Sequence, residues 1–560
     1  MPKKVAITIA GAVSLGSYES GVVFEVLDAI SQHNRWAEAN QLPEERIEVD
    51  VLSGASAGGM TAAMIAQRLL FDGPSMSQPY NNPLYQAWVQ EVDIAGLLAR
   101  GADEDVTHSV FSSNLVIGIS KTFITGRYQT TPPPAAQPHP ALPADGRIQL
   151  GLALSNLNGV DYTRTTLSGG TFTYTEHKDQ LVRALDRQTG DSAELWEEIR
   201  AAAVACGAFP IAFRVQDLPR EIGEYASDYL VAGIWGGAAS RKFAYSDGGV
   251  FQNQPLGMAK NLVEKQPGGH LNAEQRAYIF IAPQPKTSQS LPYTADANAD
   301  PAKALGSANA NYKAVVEGLA GAVVGQSEFR DWIKAEGVND RLRLLDERAG
   351  ELQALFASGA LTAAETRPVT DVLLNSFFGV QGATGLEAAR DQLKAQYQTE
   401  YAALGGNAAA DAWLDAVLTL EIAANLHGKE EMRIYDFVAD PALLASSGLN
   451  AFEGFFDAAY RKHDYDYGRL VAQTQLAKYR EQPESIFANL HWTPQPIDTI
   501  DPGLNHFDMS KVNRAKRQQT YKQMRGAADA MLAELGVPAV LRTPLMLCYV
   551  QGKIKKMLAL

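Results

Sequence analysis

Ser56 stands in the run Ile47-Glu-Val-Asp-Val-Leu-Ser-Gly54-Ala-Ser56-Ala-Gly58-Gly-Met60. An apolar strand comes first, Gly-x-Ser-x-Gly second, and the helix-forming stretch Met60-Thr-Ala-Ala-Met-Ile-Ala-Gln-Arg-Leu third. That order predicts a nucleophile elbow, a sharp strand-to-helix turn that presents a serine hydroxyl at the end of a sheet. Gly54 and Gly58 fit because a side chain at either position would crowd the turn. The serine also meets a helix N-terminus, where free N–H groups and the macrodipole favour developing negative charge.

A serine hydroxyl is a weak nucleophile until a base takes its proton. Asp247 is the candidate base. It ends the short strand Phe243-Ala-Tyr-Ser-Asp247 and is followed by Gly248-Gly249, which let the backbone turn away and leave the carboxylate facing a cleft. A lone carboxylate in this role must touch the hydroxyl and be desolvated, so that its pKa rises toward working pH. An α/β-hydrolase with a Ser-His-Asp triad is the alternative, but that fold places several strands before its elbow. Here one strand precedes the elbow strand. The loop Gly11-Ala12-Val13-Ser14-Leu15-Gly16 supplies an oxyanion hole, with Gly11, Ala12 and Val13 as backbone donors beside Ala57. Losing one such donor typically costs about 3 kcal/mol in the transition state. A nucleotide site fits less well. No Gly-x-x-x-x-Gly-Lys-Ser/Thr follows a strand, and Gly11 to Gly16 lacks the dinucleotide spacing.

These elements, in this order, resemble the patatin-like phospholipase family over residues 4 to 285. Ala203-Val-Ala-Cys-Gly-Ala-Phe-Pro210 and Asp247-Gly-Gly-Val-Phe-Gln-Asn253-Gln-Pro255 also resemble family segments. The resemblance implies a three-layer α/β/α fold with a mostly parallel central sheet. It further implies Ser56 as nucleophile, Asp247 as base, the Gly11 loop as oxyanion hole, no metal or other cofactor, and an acyl-lipid substrate such as a phospholipid or lysophospholipid. Two departures lie in the loop: Val13 where the family has glycine, and Leu15 where it has a basic residue. A working oxyanion hole then requires Val13 to keep φ negative. The departures also motivate a rival, a lipid-binding or scaffold protein without catalysis. Cys206 replaces an expected proline and reads as a small buried hydrophobe.

The surrounding elements must position this chemistry. Val5–Ala10 and Ile47–Leu52 read as buried strands of a parallel sheet, with a helix from Tyr18 to Ile30 between them. Asp93–Ile124 reads as largely helical, and the Pro-rich run Thr131–Pro143 as an extended, mobile loop. A strand over Ile148–Asn156, a helix over Glu194–Cys206 and a buried strand over Ala277–Ala282 follow. The polar stretch Pro283–Pro301 marks a boundary between a catalytic domain, 1–285, and a mainly helical region, 286–560. In the latter, Leu342, Leu345, Leu352 and Phe356 form one helical stripe.

A length of 560 residues exceeds one core. Two cysteines, Cys206 and Cys548, fit a reducing compartment such as the cytoplasm, and the net charge of −14 argues against nucleic-acid binding. Charge is unevenly spread. Lys511–Leu560 holds ten Lys/Arg against Asp529 and Glu534, a net +8 that leaves −22 elsewhere. This tail reads as paired with the acidic body, with peripheral contact to an anionic membrane as the alternative. The N-terminal apolar run is short and enters the loop the site needs, so it does not read as a signal peptide. The Asn450–Leu470 segment, dense in aromatics and charges, reads as a helix packed on the catalytic domain with His463 and Asp464 in a satisfied polar network; the alternative is that its aromatics, beside Arg461 and Arg469, line an acyl or head-group pocket.

Overall fold

The computed structural model describes the chain except residues 1, 106, 167–168, 226, 228, 267–274, 284–329, 379–382, 428–430, 448–450 and 547–549. In chain order, and numbering only the longer helices, the elements begin with β1 (Lys3–Ile9), α1 (Gly16–Ala39), β2 (Ile47–Gly54), α2 (Ala57–Phe71) and α3 (Asn114–Phe123). Next come β3 (Arg147–Thr165), β4 (Thr171–Asp186), α4 (Ala193–Cys206), β5 (Gln216–Glu221), β6 (Ser240–Asp247), α5 (Leu256–Glu264) and β7 (Arg276–Ala282). Helices α6 (Arg330–Ser358), α7 (Ala363–Phe378), α8 (Ala383–Gln396) and α9 (Ala408–Ala423) precede β8 (Ile434–Val438), α10 (Ala458–Arg480) and α11 (Arg514–Glu534).

The sheet runs in the order β5-β6-β3-β2-β1-β7-β8, with β4 paired to β3. The pairs β1–β2, β2–β3 and β7–β8 are parallel, whereas β3–β4, β3–β6 and β5–β6 are antiparallel. The parallel part is the expected one, and the antiparallel flank makes the whole sheet mixed. Every residue of β2 and β7 is buried. Successive residues of a strand face opposite sides, so helices cover both faces here. In β7 the continuous apolar run Tyr-Ile-Phe-Ile-Ala is the sequence cause; in β2 the apolar residues alternate with the buried Glu48 and Asp50.

Three segments differ from the sequence reading. Asp93–Ile124 is helical only at Ile94–Leu98 and Asn114–Phe123. Between them Glu104 accepts from the Ser113 N–H at 2.6 Å and Arg100 donates to the Val110 carbonyl at 2.8 Å. These side-chain bonds compete with a helical ladder in a stretch already weakened by Gly101. The Pro-rich loop is tied down at its end: the Gln137 and His139 N–H groups donate to the Phe71 and Leu69 carbonyls at 2.9 Å. Strand β3 continues past Asn156 into a hairpin with β4 that carries many exposed polar residues and left no apolar signal.

The chain forms two compact units. The first holds β1 to β7 and takes in Ile434–Leu560 as well; the second holds Asp331–Arg433. The region 286–560 is therefore divided between the two. In the second unit, α6 to α9 close a core around Trp413, whose indole donates to the Ala349 carbonyl at 3.0 Å. The stripe expected on α6 is there: Leu342, Leu345 and Phe356 are buried and Leu352 is partly so.

In the first unit, β8 extends the sheet beside β7 and α10 crosses α1. The crossing is close because both helices bring glycine to it. A Cβ on Gly21 would lie 2.0 Å from the Tyr465 carbonyl oxygen, and one on Gly468 would lie 2.2 Å from that of Tyr18. Beside it, Arg469 Nε donates to Glu25 Oε1 at 2.7 Å, with both side chains fully buried. The basic tail is partly docked. Arg517 donates to the Val512 and Leu558 carbonyls at 2.9 and 3.1 Å, and Lys516 faces Asp93 at 3.5 Å. Cys548 lies outside the described residues; Ala539–Leu545 and Gln551–Met557 on either side are helical. Among the described residues, no helix is long and apolar enough to cross a membrane.

Candidate active site

Ser56 sits between β2 and α2 with φ 52° and ψ −127°, the strained backbone of an elbow. The glycines around it are required by contact. A Cβ on Gly54 would lie 2.4 Å from the Gly58 carbonyl oxygen, and one on Gly58 would lie 2.3 Å from that of Ala10. The start of α2 is thereby pressed against the end of β1.

Asp247 ends β6, the strand that pairs antiparallel with β3 through Leu154↔Asp247. Its Oδ2 accepts the Ser56 hydroxyl at 2.6 Å, and its Oδ1 accepts the Gly249 N–H at 2.7 Å. The aspartate backbone is pinned on both sides. Its N–H donates to the Ala208 carbonyl at 2.9 Å and its carbonyl accepts from Ser155 Oγ at 2.7 Å. Gly248 cannot carry a side chain, since a Cβ would lie 2.0 Å from the Ala153 carbonyl oxygen. Burial pushes the Asp247 carboxyl up to about 7, against the hydrogen bonds from Ser56 and Gly249 that lower it. Among the described residues no histidine bonds either partner; both carboxylate oxygens are already engaged.

The loop after β1 reaches the same place. A Cβ on Gly11 would lie 3.1 Å from Ser56 Cβ and 2.0 Å from Asn253 Oδ1. The Gly11 N–H itself donates to the Asn253 carbonyl at 3.0 Å, so Gly11 serves close approach and is not a spare donor. Among the described residues, the N–H groups of Ala12, Val13 and Ala57 make no backbone hydrogen bond to the turns around them. Gly16 accommodates Trp88, whose ring atoms lie 2.8 Å from the Cβ position. The requirement for negative φ at Val13 is overturned: φ is +52°. For a β-branched residue this is a true outlier. Such strain costs about 1–3 kcal/mol and persists only where the surroundings enforce it. Leu15 is buried in the core and does not face the site.

A pocket opens at Ser56. Met60, Met64, Trp88, Ile124, Phe213 and Phe455 are among its walls, and Ser56 and Ser120 are the hydroxyls lining it among the described residues. Met60 and Met64 follow Ser56 at i+4 and i+8, one helix face, so the pocket runs down α2. At its far end Ser120 Oγ accepts from Arg200 at 3.3 Å. Cys206 is fully buried, its thiol pushed up by burial, and a Cβ on Gly59 would lie 2.3 Å from its sulfur. It fills the underside of the elbow, as a small hydrophobe does.

Sequence reading missed Ser155 and Trp88. Asn253 lay in a quoted motif without a role. Phe455 lies in the aromatic segment for which an acyl-pocket lining was the less favoured reading, and it does line the pocket at Ser56. The Phe452–Arg469 segment otherwise behaves as expected: His463 bonds Asp464 at 3.4 Å and Asn505 at 3.1 Å.

A sheet with helices on both faces, an elbow serine after its central strand β2 and a buried aspartate against the serine define this unit. Residues 7–260 match the family model described as patatin-like phospholipase. Among curated proteins, the chain is similar to the uncharacterized protein y4iI of Sinorhizobium fredii, at 25% identity over 50% of this chain and 49% of that protein. It is also similar to the uncharacterized membrane protein Rv3479 of Mycobacterium tuberculosis, at 23% identity over 50% of this chain and 27% of that protein. The chain thus spans half or less of the length of these relatives.

Proposed function

We propose that the protein is a serine acyl hydrolase acting on phospholipids, lysophospholipids or related acyl-lipids through Ser56 and Asp247. The observation that carries this is the 2.6 Å hydrogen bond from the Ser56 hydroxyl to a desolvated aspartate, at the head of an apolar pocket. Asp247 takes the hydroxyl proton as Ser56 Oγ bonds to the ester carbonyl carbon. The tetrahedral oxyanion faces the N–H groups of Ala12, Val13 and Ala57. The carbon–oxygen bond to the alcohol breaks, and Asp247 returns its proton to that alcohol. Water, deprotonated by Asp247, then attacks the acyl-Ser56 carbonyl carbon; the carbon–Oγ bond breaks, Asp247 returns the proton to Ser56 Oγ, and the fatty acid is freed. The acyl chain lies along α2 between Met60, Met64 and Ile124, where apolar walls favour it by about 25 cal/mol per Å² removed from water. The low cysteine content supports a reducing, cytoplasmic setting with peripheral access to lipid.

Reaction with a fluorophosphonate probe tests this reading. The wild-type protein is expected to label and Ser56→Ala to lose the label. Intact protein that never labels would refute it.

A further inference from the structure

We infer that the segment Ala451–Arg461, which lies outside residues 7–260, is a clamp that holds the oxyanion loop in its strained, donating conformation. The inference rests on Ser56 being the nucleophile. Val13 is held at φ +52°, a conformation its branched side chain disfavours, so something must enforce it. Three contacts from this segment do so. The Ser14 hydroxyl, fully buried, donates to the Ala451 carbonyl. Ala451 itself is held at φ +63°. Gly454 packs directly on the loop: a Cβ there would lie 2.7 Å from Ser14 Oγ and 2.6 Å from Ser446 Oγ. Phe455 then reaches the pocket beside Val13 and Ser56.

Arg461 fixes the clamp in turn. Its side chain is buried, and Nη1 donates to the Gly454 carbonyl at 2.8 Å. Nε and Nη2 both donate to the Val89 carbonyl, at 3.0 and 2.8 Å. Val89 follows Trp88, which packs over Gly16 and bonds Thr61 Oγ1 on α2 at 3.0 Å. One guanidinium therefore ties the clamp to the pocket wall and, through it, to both ends of the site. A planar fork makes these three bonds at once, which an ammonium cannot match. Ser14 and Arg461 are positioning residues; neither touches the reacting atoms.

The test uses the full-length protein. Ser14→Ala removes one bond from the clamp and leaves Val13 in place. Its phosphonylation by a fluorophosphonate and its kcat on a p-nitrophenyl ester are expected to fall at least about tenfold, since both need the oxyanion donors. KM is expected to stay within about twofold, because the pocket is intact. In a Val13→Gly background the same substitution is expected to cost less than about threefold, because glycine holds positive φ unaided. Unchanged kcat in Ser14→Ala, or an equal loss in both backgrounds, overturns the clamp alone. A wild-type protein that does not label removes the nucleophile, and the clamp's role with it.

Discussion

Asp247 carries opposite demands. On the proposed mechanism it must be ionised to act as the base, so kcat/KM is expected to fall as pH drops through about 7 and to level off above it. Stability runs the other way. The folded carboxyl binds its proton more tightly than the unfolded one, whose pKa is about 3.9, so folding loses stability as pH rises from about 4 to about 7. Asp247→Asn should therefore abolish turnover while raising Tm at pH 8, and raising it less at pH 5. Melts at the two pH values decide this; an equal or reversed shift would mean the carboxyl is not desolvated as described. Both partners were legible in the sequence because each sits in a short glycine-rich motif where local geometry limits the residue type. Val13 was not. A positive φ on a branched residue runs against local preference, and only contacts from a distant segment sustain it.

On the proposed function, α2 measures the substrate. Met60 and Met64 follow Ser56 at about 6 Å per four residues, so Met64 lies about 12 Å along the helix from the elbow. With carbon–carbon bonds near 1.5 Å at tetrahedral angles, that depth holds roughly nine or ten methylenes. Met64→Ala is expected to shift the preferred ester several carbons longer across a series of p-nitrophenyl acyl esters. An unchanged optimum would place the floor elsewhere. The helix was evident from its run of good helix formers, and so was its role in presenting Ser56. Its role as a pocket wall was not, because α3, Trp88 and Phe455 on the facing side come from separate parts of the chain. The interrupted helix at Asp93–Ile124 shows the same limit. Glu104 and Arg100 side chains bond the backbone there, and such bonds carry no periodic signature.

Across the first unit, the family-matched segment does not form the fold by itself. Strand β8 pairs with β7, α10 packs into the glycine groove of α1, and Arg469 neutralises Glu25 in the core. A chain ending after Pro283 loses all three. Without α10 the glycine groove of α1 and Glu25 lose the helix that covers them, and the apolar faces of α1 and β7 are exposed. Such a chain is expected to show no cooperative thermal transition and no fluorophosphonate labelling. Cooperative melting at the full-length Tm would show that the C-terminal return is dispensable.

The order strand, glycine loop, helix, strand, elbow, helix is determined by the sequence alone, since each step follows from apolar runs and glycine placement a few residues apart. The Ser56 and Asp247 motifs are determined in the same way. Their union at 2.6 Å, the apolar pocket and the hold on the Val13 loop were decided only by the tertiary structure. Each depends on residues separated by about 190 to 440 positions, and nothing in local chain chemistry encodes which distant segment will supply the missing wall.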